Sequence, residues 1–428
     1  MHHVFMSVLV AMLLIGCGGG DGGGGGPSGP DPYAWQRHGA NTLLTPPKSP
    51  APATTYEVSI ADPSVMFDAP SGLWKAWYSA TRFDTAIAGD PGIMLIRYAE
   101  SADGITWTVQ AAPALQARNN ATDWDYTHTE TPCVIRNPDG LAPASQRWLL
   151  FYAGGNLDAD VAAGRTSLGA YPYYQIGLAY SADGRTFTRC LPGLDGKPGL
   201  TLKASQALAG VAGFADGLLA DPEAVAVGGQ ITLWCSSFAE SAARSPLAFG
   251  ISHATSADGL AWAFPAVNPL SSLYRPAEAF GGEQPAVLYD PSLGRYEMWF
   301  KNDSAADKAL LPTLWFTAYG FWHATSPDGI AWTPDYATRD FAWEPARAYE
   351  TYGLLTGCSV VRHAGYDRMF YCAWGTQGIP DPALYQVPLQ VGSNVPAVIT
   401  FNQAYRSSPP GAVAAGLRTI APLALLNR

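Results

Sequence analysis

The chain has 428 residues, room for one large domain or two modest ones. Hydrophobic residues make up 48% and charged residues only 14%, which excludes a disordered chain. A formal charge of −10 with no basic patch excludes a surface built for nucleic acid or for an anionic membrane.

Taken in chain order, Val4 to Ile15 is an apolar run too short to span a bilayer. It ends in Leu14-Ile15-Gly16-Cys17, which resembles the bacterial lipobox, although Met1-His2-His3 lacks the usual Lys or Arg. That resemblance implies cleavage before Cys17 and its lipidation; an ordinary cleaved signal with an incidental Cys is the alternative. Gly18 rather than Asp after the Cys implies, by analogy with Gram-negative sorting, export to the outer membrane with a lipid anchor as the sole membrane contact. The expected organisation is a signal at 1–16, a Gly/Pro-rich tether at 17–50 and one folded domain at 51–428. Cys133, Cys190, Cys235, Cys358 and Cys372 remain, an odd number, and Cys358 and Cys372 could pair.

The domain is expected to be all-β. One turn motif recurs four times: Ser101-Ala-Asp103-Gly104, Ser181-Ala-Asp183-Gly184, Ser256-Ala-Asp258-Gly259 and Ser326-Pro-Asp328-Gly329, each with an aromatic three residues after the Gly. The Asp-to-Asp spacings are 80, 75 and 70 residues. Asp-Gly supplies the positive φ of a tight turn between strands. A second motif opens each unit: Asp62-Pro63, Thr131-Pro132, Asp221-Pro222, Gln284-Pro285 and, without Pro, Gly357-Cys358. An aromatic strand follows each, as in Trp74-Lys-Ala-Trp-Tyr78. Five such units predict a five-bladed β-propeller of four-stranded antiparallel blades starting near 62, 131, 221, 284 and 357. The fifth lacks the Asp-Gly turn; Ala383 to Leu389 and a segment near a terminus are expected to complete it. A sandwich of similar strand count is the rival.

In a propeller the unit starts converge at one mouth with the ends of the second strands. The starts offer Asp62, Glu130, Asp221 and Glu283. Paired carboxylates held at a fixed separation are what glycoside hydrolysis requires. An Asp before Pro also caps turns, which is the plain alternative.

The order Asp-Pro, Asp-Pro, Glu-x-Pro over the first, third and fourth units resembles the glycoside hydrolase family 43 arabinanases, arabinofuranosidases and xylosidases, in a wider group with levansucrases and invertases. The likeness runs from about Tyr56 to Leu389. It implies Asp62 as general base, Asp221 as the residue that tunes the acid's pKa, Glu283 as general acid, and inverting hydrolysis. Gln284 stands where that family usually has Gly. An invertase-like layout would instead place carboxylates on the first three units and use Asp62, Glu130 and either Asp221 or Glu223. Inverting carboxylate pairs stand roughly 6.5–9.5 Å apart and retaining pairs about 5–5.5 Å. Arg82, Trp124, Tyr126, His128, Asn156, Asn302, Asp303 and Trp374 are the expected sugar-binding residues.

The substrate is expected to be an oligo- or polysaccharide with arabinose-, xylose- or fructose-type linkages, cleaved by a monomer. No cofactor and no catalytic metal are called for, and a structural calcium in the channel is compatible with the pattern. A carbohydrate-binding lipoprotein without turnover is the second reading. A sialidase-like propeller is the third, because the Ser-x-Asp-Gly turns resemble the sialidase Asp-box; they are one residue shorter, and no Arg triad accompanies them.

Overall fold

The computed structural model describes residues 31–46, 55–84, 86, 92–117, 120–137, 143–165, 172–209, 217–239, 248–274, 281–302, 319–352, 354–379, 386–390 and 393–410. It is all-β, with antiparallel sheets and only short helical turns among those residues.

Five antiparallel meanders follow one another along the chain. Their first strands are Ala61–Asp68, His128–Arg136, Leu218–Val227, Glu283–Asp290 and Leu355–His363. These are buried along nearly their whole length, which is why they read as short apolar runs rather than as an alternation. The second strands, Leu73–Asp84, Trp148–Gly155, Gln230–Ala239, Arg295–Lys301 and Tyr366–Gly375, carry the aromatics. Trp77, Trp234 and Trp299 are wholly buried there, along with Tyr78, Tyr152 and Tyr371.

The first strands touch in cyclic order, one with two, two with three, three with four, four with five, and five with one. Side chains reinforce the circle at equivalent positions. Ser64 Oγ accepts the Val134 N–H at 3.0 Å, and Cys133 Sγ accepts that of Ala224 at 3.1 Å. Glu223 Oε1 accepts that of Val287 at 3.1 Å, and Ser359 Oγ accepts that of Val65 at 3.0 Å. The remaining junction, from unit four to unit five, has Ala286 at this position and no side chain able to accept.

The four Asp-Gly turns staple neighbouring units. In each, the Asp carboxylate accepts the backbone N–H groups of the two residues after the Gly, as Asp103 does from Ile105 and Thr106 at 2.8 and 2.7 Å. The turn glycines sit at φ +76 to +77°. Each glycine carbonyl accepts from the preceding unit: Gly184 from Trp77 Nε1 at 2.7 Å, Gly329 from Trp234 Nε1 at 2.8 Å, and Gly259 from Thr201 Oγ1. Gly104 accepts from Gln403 of the fifth unit at 3.2 Å. These acids therefore organise the fold and lie outside the candidate site.

Three details differ from expectation. The third unit is a three-stranded sheet with a single further bridge, Thr255 to Ala263, not a full fourth strand. In the fifth unit the third strand is Val398–Ser407; the residues expected to fill that place begin a separate hairpin, Gln386–Gln390 with Ser393–Pro396. Its outer strand is Gln36–Arg37, so residues 31–46 are structured and do not belong to a free tether. Arg37 holds that strand in place by ion-pairing with the buried Glu350 at 2.7 Å.

The described cysteines are all buried thiols. Cys358 and Cys372 lie on paired strands but in different apolar clusters, on opposite faces of the sheet, so no disulfide joins them. Cys17 lies outside the described residues.

Candidate active site

Each first strand is interrupted at the same place by a bulge. The register breaks between Ala61 and Ser64, Glu130 and Cys133, Ala220 and Glu223, Glu283 and Ala286, and Thr356 and Cys358. Inside each break one residue is left-handed: Asp62 at φ 49°, Thr131 at 47°, Asp221 at 50°, Gln284 at 49° and Gly357 at 41°. The prolines that follow four of them fit here, since a bulge needs no ladder N–H from them. Four strained non-glycine residues at matched positions persist only where the surroundings impose them, and such strain gathers at functional sites.

The five left-handed residues line one small cavity of about 30 Å³, enough for one or two waters. Two rings of side chains result. The left-handed ring is Asp62, Thr131, Asp221, Gln284 and Gly357, and Asp62, Asp221 and Gln284 keep contact with solvent. The residues just before them are Ala61, Glu130, Ala220, Glu283 and Thr356; Glu130 and Glu283 are buried. The carboxylates thus alternate, in units one and three on the open ring and in units two and four behind it.

The second strands add their ends to the same place. In register with the preceding ring stand Ser79, Ala153, Ser236, Lys301 and Cys372. Ser79 Oγ accepts the Thr131 N–H at 2.8 Å, and Ser236 Oγ accepts the Gln284 N–H at 2.7 Å. Both serines also hydrogen-bond the open acids, Ser79 to Asp62 and Ser236 to Asp221. Lys301 is buried and pairs with Glu283 at 3.2 Å.

Crowding separates the acids electrostatically. Although Asp62 and Asp221 touch solvent, protein surrounds most of each carboxyl, and desolvation dominates. It raises Asp62 to about 6, opposed by Lys301 and by hydrogen bonds from Ser79 and Gln284. It raises Asp221 to about 7, with the Asp62 charge as the next cause. Glu130 is pushed to about 8 by burial and by Asp62 and Asp221, against a hydrogen bond from Tyr174. At neutral pH the site therefore holds an ionised carboxylate, Asp62, beside protonated or half-protonated neighbours. Among the described residues no group of three or more His, Cys, Asp or Glu is arranged to hold a metal ion.

Asp62, Asp221, Glu283 and Glu130 do converge. Glu223 lines the cavity, but its Oε1 holds the Val287 amide of the next unit, which makes it part of the circular belt. The expected sugar-binding residues are used differently. Asn156 caps the helix Leu157–Ala162 and donates to the carbonyls of Ala121 and Asp123. Asn302 is wholly buried and donates to Leu273 O and Tyr336 Oη. Trp374 packs in the apolar cluster with Ile60, Leu354 and Ile399, so it offers no stacking wall. His128 is buried against Tyr174, burial lowering its pKa to about 3, so it stays neutral. Tyr126 and Arg82 are half-buried. Trp124 stacks on Tyr152 and lines a separate cavity of about 540 Å³ built from residues between 122 and 217. Asp303 lies outside the described residues.

Sequence reading missed Lys301, Ser79, Ser236 and the side chain of Gln284. The first three matter through cross-strand register, which no local motif encodes. Gln284 was visible only as a departure from the family pattern.

No protein-family model matches the chain, and no curated protein does. Solved structures do match in fold. BT0996, in a complex with RGII, is 15% identical with a TM-score of 0.55, covering 92% of this protein and 96% of that one. Zg3597, a family 117 glycoside hydrolase of the marine bacterium Zobellia galactanivorans, is 14% identical with a TM-score of 0.52, covering 87% and 90%. A structure described under the GH130 family of mannoside phosphorylases, containing glycoside hydrolases that target β-1,2 mannosidic linkages in Candida mannan, is 17% identical at 0.51, covering 90% and 97%. At these identities the likeness establishes a shared fold; the chemistry must be argued from the site.

Proposed function

We propose that the five meanders are blades of a β-propeller and that the protein is a glycoside hydrolase whose reaction centre is the carboxylate ring at the mouth. One observation carries the reading: the matched bulges turn Asp62 and Asp221 onto one opening, with both carboxyls raised and Asp221 raised further. Environments that push two carboxylates apart in pKa are how one site runs acid and base chemistry together. Asp62 serves as the ionised group, activating water or attacking the sugar. Asp221, at about 7, supplies the proton to the leaving oxygen. The family 43 resemblance gives the acid role to Glu283 instead, but Glu283 is buried, paired with Lys301 at 3.2 Å, and is not among the residues lining the cavity. Structural neighbours that act on glycans support a carbohydrate substrate. Inversion, and arabinose-, xylose- or fructose-type linkages, belong to the same proposal, as does a lipid anchor on Cys17 holding the chain at the outer membrane.

A second reading, a glycan-binding protein without turnover, is favoured by that same ion pair, which engages the carboxylate at the family's acid position. A screen on aryl glycosides, arabinan, xylan and fructan decides between them. The expected result is turnover that falls roughly 10²–10⁴-fold in both Asp62→Asn and Asp221→Asn, with proton NMR of the first-formed anomer showing inversion. Glycan binding without any turnover in the wild type overturns the hydrolase. If only Glu283→Gln abolishes turnover and Asp221→Asn spares it, the acid role returns to Glu283.

A further inference from the structure

Asp62 is reached by a side chain from three units away in the chain. Gln284 donates from Nε2 to Asp62 Oδ1 at 3.3 Å, while its Oε1 accepts the backbone N–H of Gly357 at 2.8 Å. One amide thus links units four, five and one. The link depends on Gly357: a Cβ there would lie 2.8 Å from both Cα and Oδ1 of Asp62. The backbone of Gln284 is left-handed, a conformation glycine adopts without strain and glutamine does not. A glutamine kept there is kept for its side chain, and both ends of that side chain are engaged.

We propose that Gln284 is a positioning residue, a strap across the glycine gap that fixes the orientation of the Asp62 carboxylate and holds it ionised. This deepens the hydrolase reading and rests on Asp62 being its reacting carboxylate. The groups facing Asp62 are Lys301, Glu283, Glu130 and Asp221, the Ser79 hydroxyl and the Cys372 thiol. The acids favour its protonated form; Lys301, Ser79 and Gln284 oppose them. A neutral donor does what a second cation could not. It stabilises the charge on Asp62 alone, without drawing the proton from Asp221, and so keeps the two carboxylates apart.

The test uses the full chain with carboxyl-¹³C aspartate, the Asp62 signal being assigned through Asp62→Asn. In Gln284→Gly, which relaxes the backbone, the Asp62 midpoint should rise by roughly 0.5–1 pH unit. Gln284→Asn keeps the amide but is one methylene too short, and should behave likewise. If the enzyme turns over a glycoside, the acidic limb of kcat/KM should rise by the same amount. An unmoved Asp62 midpoint in Gln284→Gly, or a wild-type midpoint in Gln284→Asn, overturns the strap. Should no glycoside be cleaved, the hydrolase reading fails while the titration still decides this one.

Discussion

Asp221→Asn should stabilise the protein, and only at high pH. In the folded state Asp221 titrates at about 7 rather than its ordinary 3.8, because it is desolvated and faces the Asp62 charge. The unfolded chain therefore releases this proton first as pH rises. The wild type loses stability from about pH 4 up to about pH 7, and the loss is complete above that. At about 1.4 kcal/mol per pH unit, the ceiling is roughly 4 kcal/mol. Residual solvent contact and sharing of charge with Asp62 reduce it, so about 1–3 kcal/mol is expected. Asn is uncharged at any pH and can still hydrogen-bond to Ser236. Urea titrations at pH 3 and pH 8 should show near-equal midpoints for the two proteins at the lower pH and a higher midpoint for the variant at pH 8. A stability change of the same size at both values, or a loss at pH 8, would refute the electrostatic account.

Three further outcomes follow from the same geometry. Gly357→Ala should lose about 1–2 kcal/mol to the left-handed backbone, and a further ~1–3 kcal/mol to overpacking against Asp62. A urea midpoint like the wild type's would show that the ring has slack. Lys301→Met should destabilise by about 3–5 kcal/mol, because the buried Glu283 loses its ion-pair partner. A urea midpoint close to the wild type's would show that the pair contributes no net stability. Ala286→Ser should stabilise by about 1 kcal/mol by offering the Val360 N–H the acceptor it has at the equivalent position in the other four junctions; destabilisation in calorimetry would show that the site is too tight for an oxygen.

The unit starts could be read in the sequence because a local rule creates them. A bulge with a following Pro leaves the same short signature wherever it occurs, and five copies give the order of the strands. The convergence of Asp62, Glu130, Asp221 and Glu283 followed from that periodicity. What was illegible is non-local. Lys301 looks like the end of an aromatic strand, and only its register opposite Glu283 makes it part of the site. Asn156 and Asn302 resemble sugar-binding groups in sequence, but their amides hold loop carbonyls. The third strand of the fifth unit was misplaced because the hairpin at Gln386–Pro396 stands between it and the second strand, and nothing local distinguishes a detour from a blade.

The fifth unit shows why the repeat departs from itself where it does. It lacks the Asp-Gly turn and the Pro of the unit start, it borrows Gln36–Arg37 from the other end of the chain, and its neighbour has Ala at the belt position. Each change removes a local stabilising contact. Removing the Cβ at residue 357 does something else as well: it leaves room for the Asp62 carboxyl in the position where Gln284 reaches it. Long-range contacts make up the difference in stability. Arg362 is buried against Asp290 at 2.5 Å and Asp367 at 2.7 Å, tying units four and five together at the far end of their first strands. That tie lies away from the mouth, where the carboxylates repel one another, and the same pair of units supplies Gln284 and Gly357 to the surroundings of Asp62.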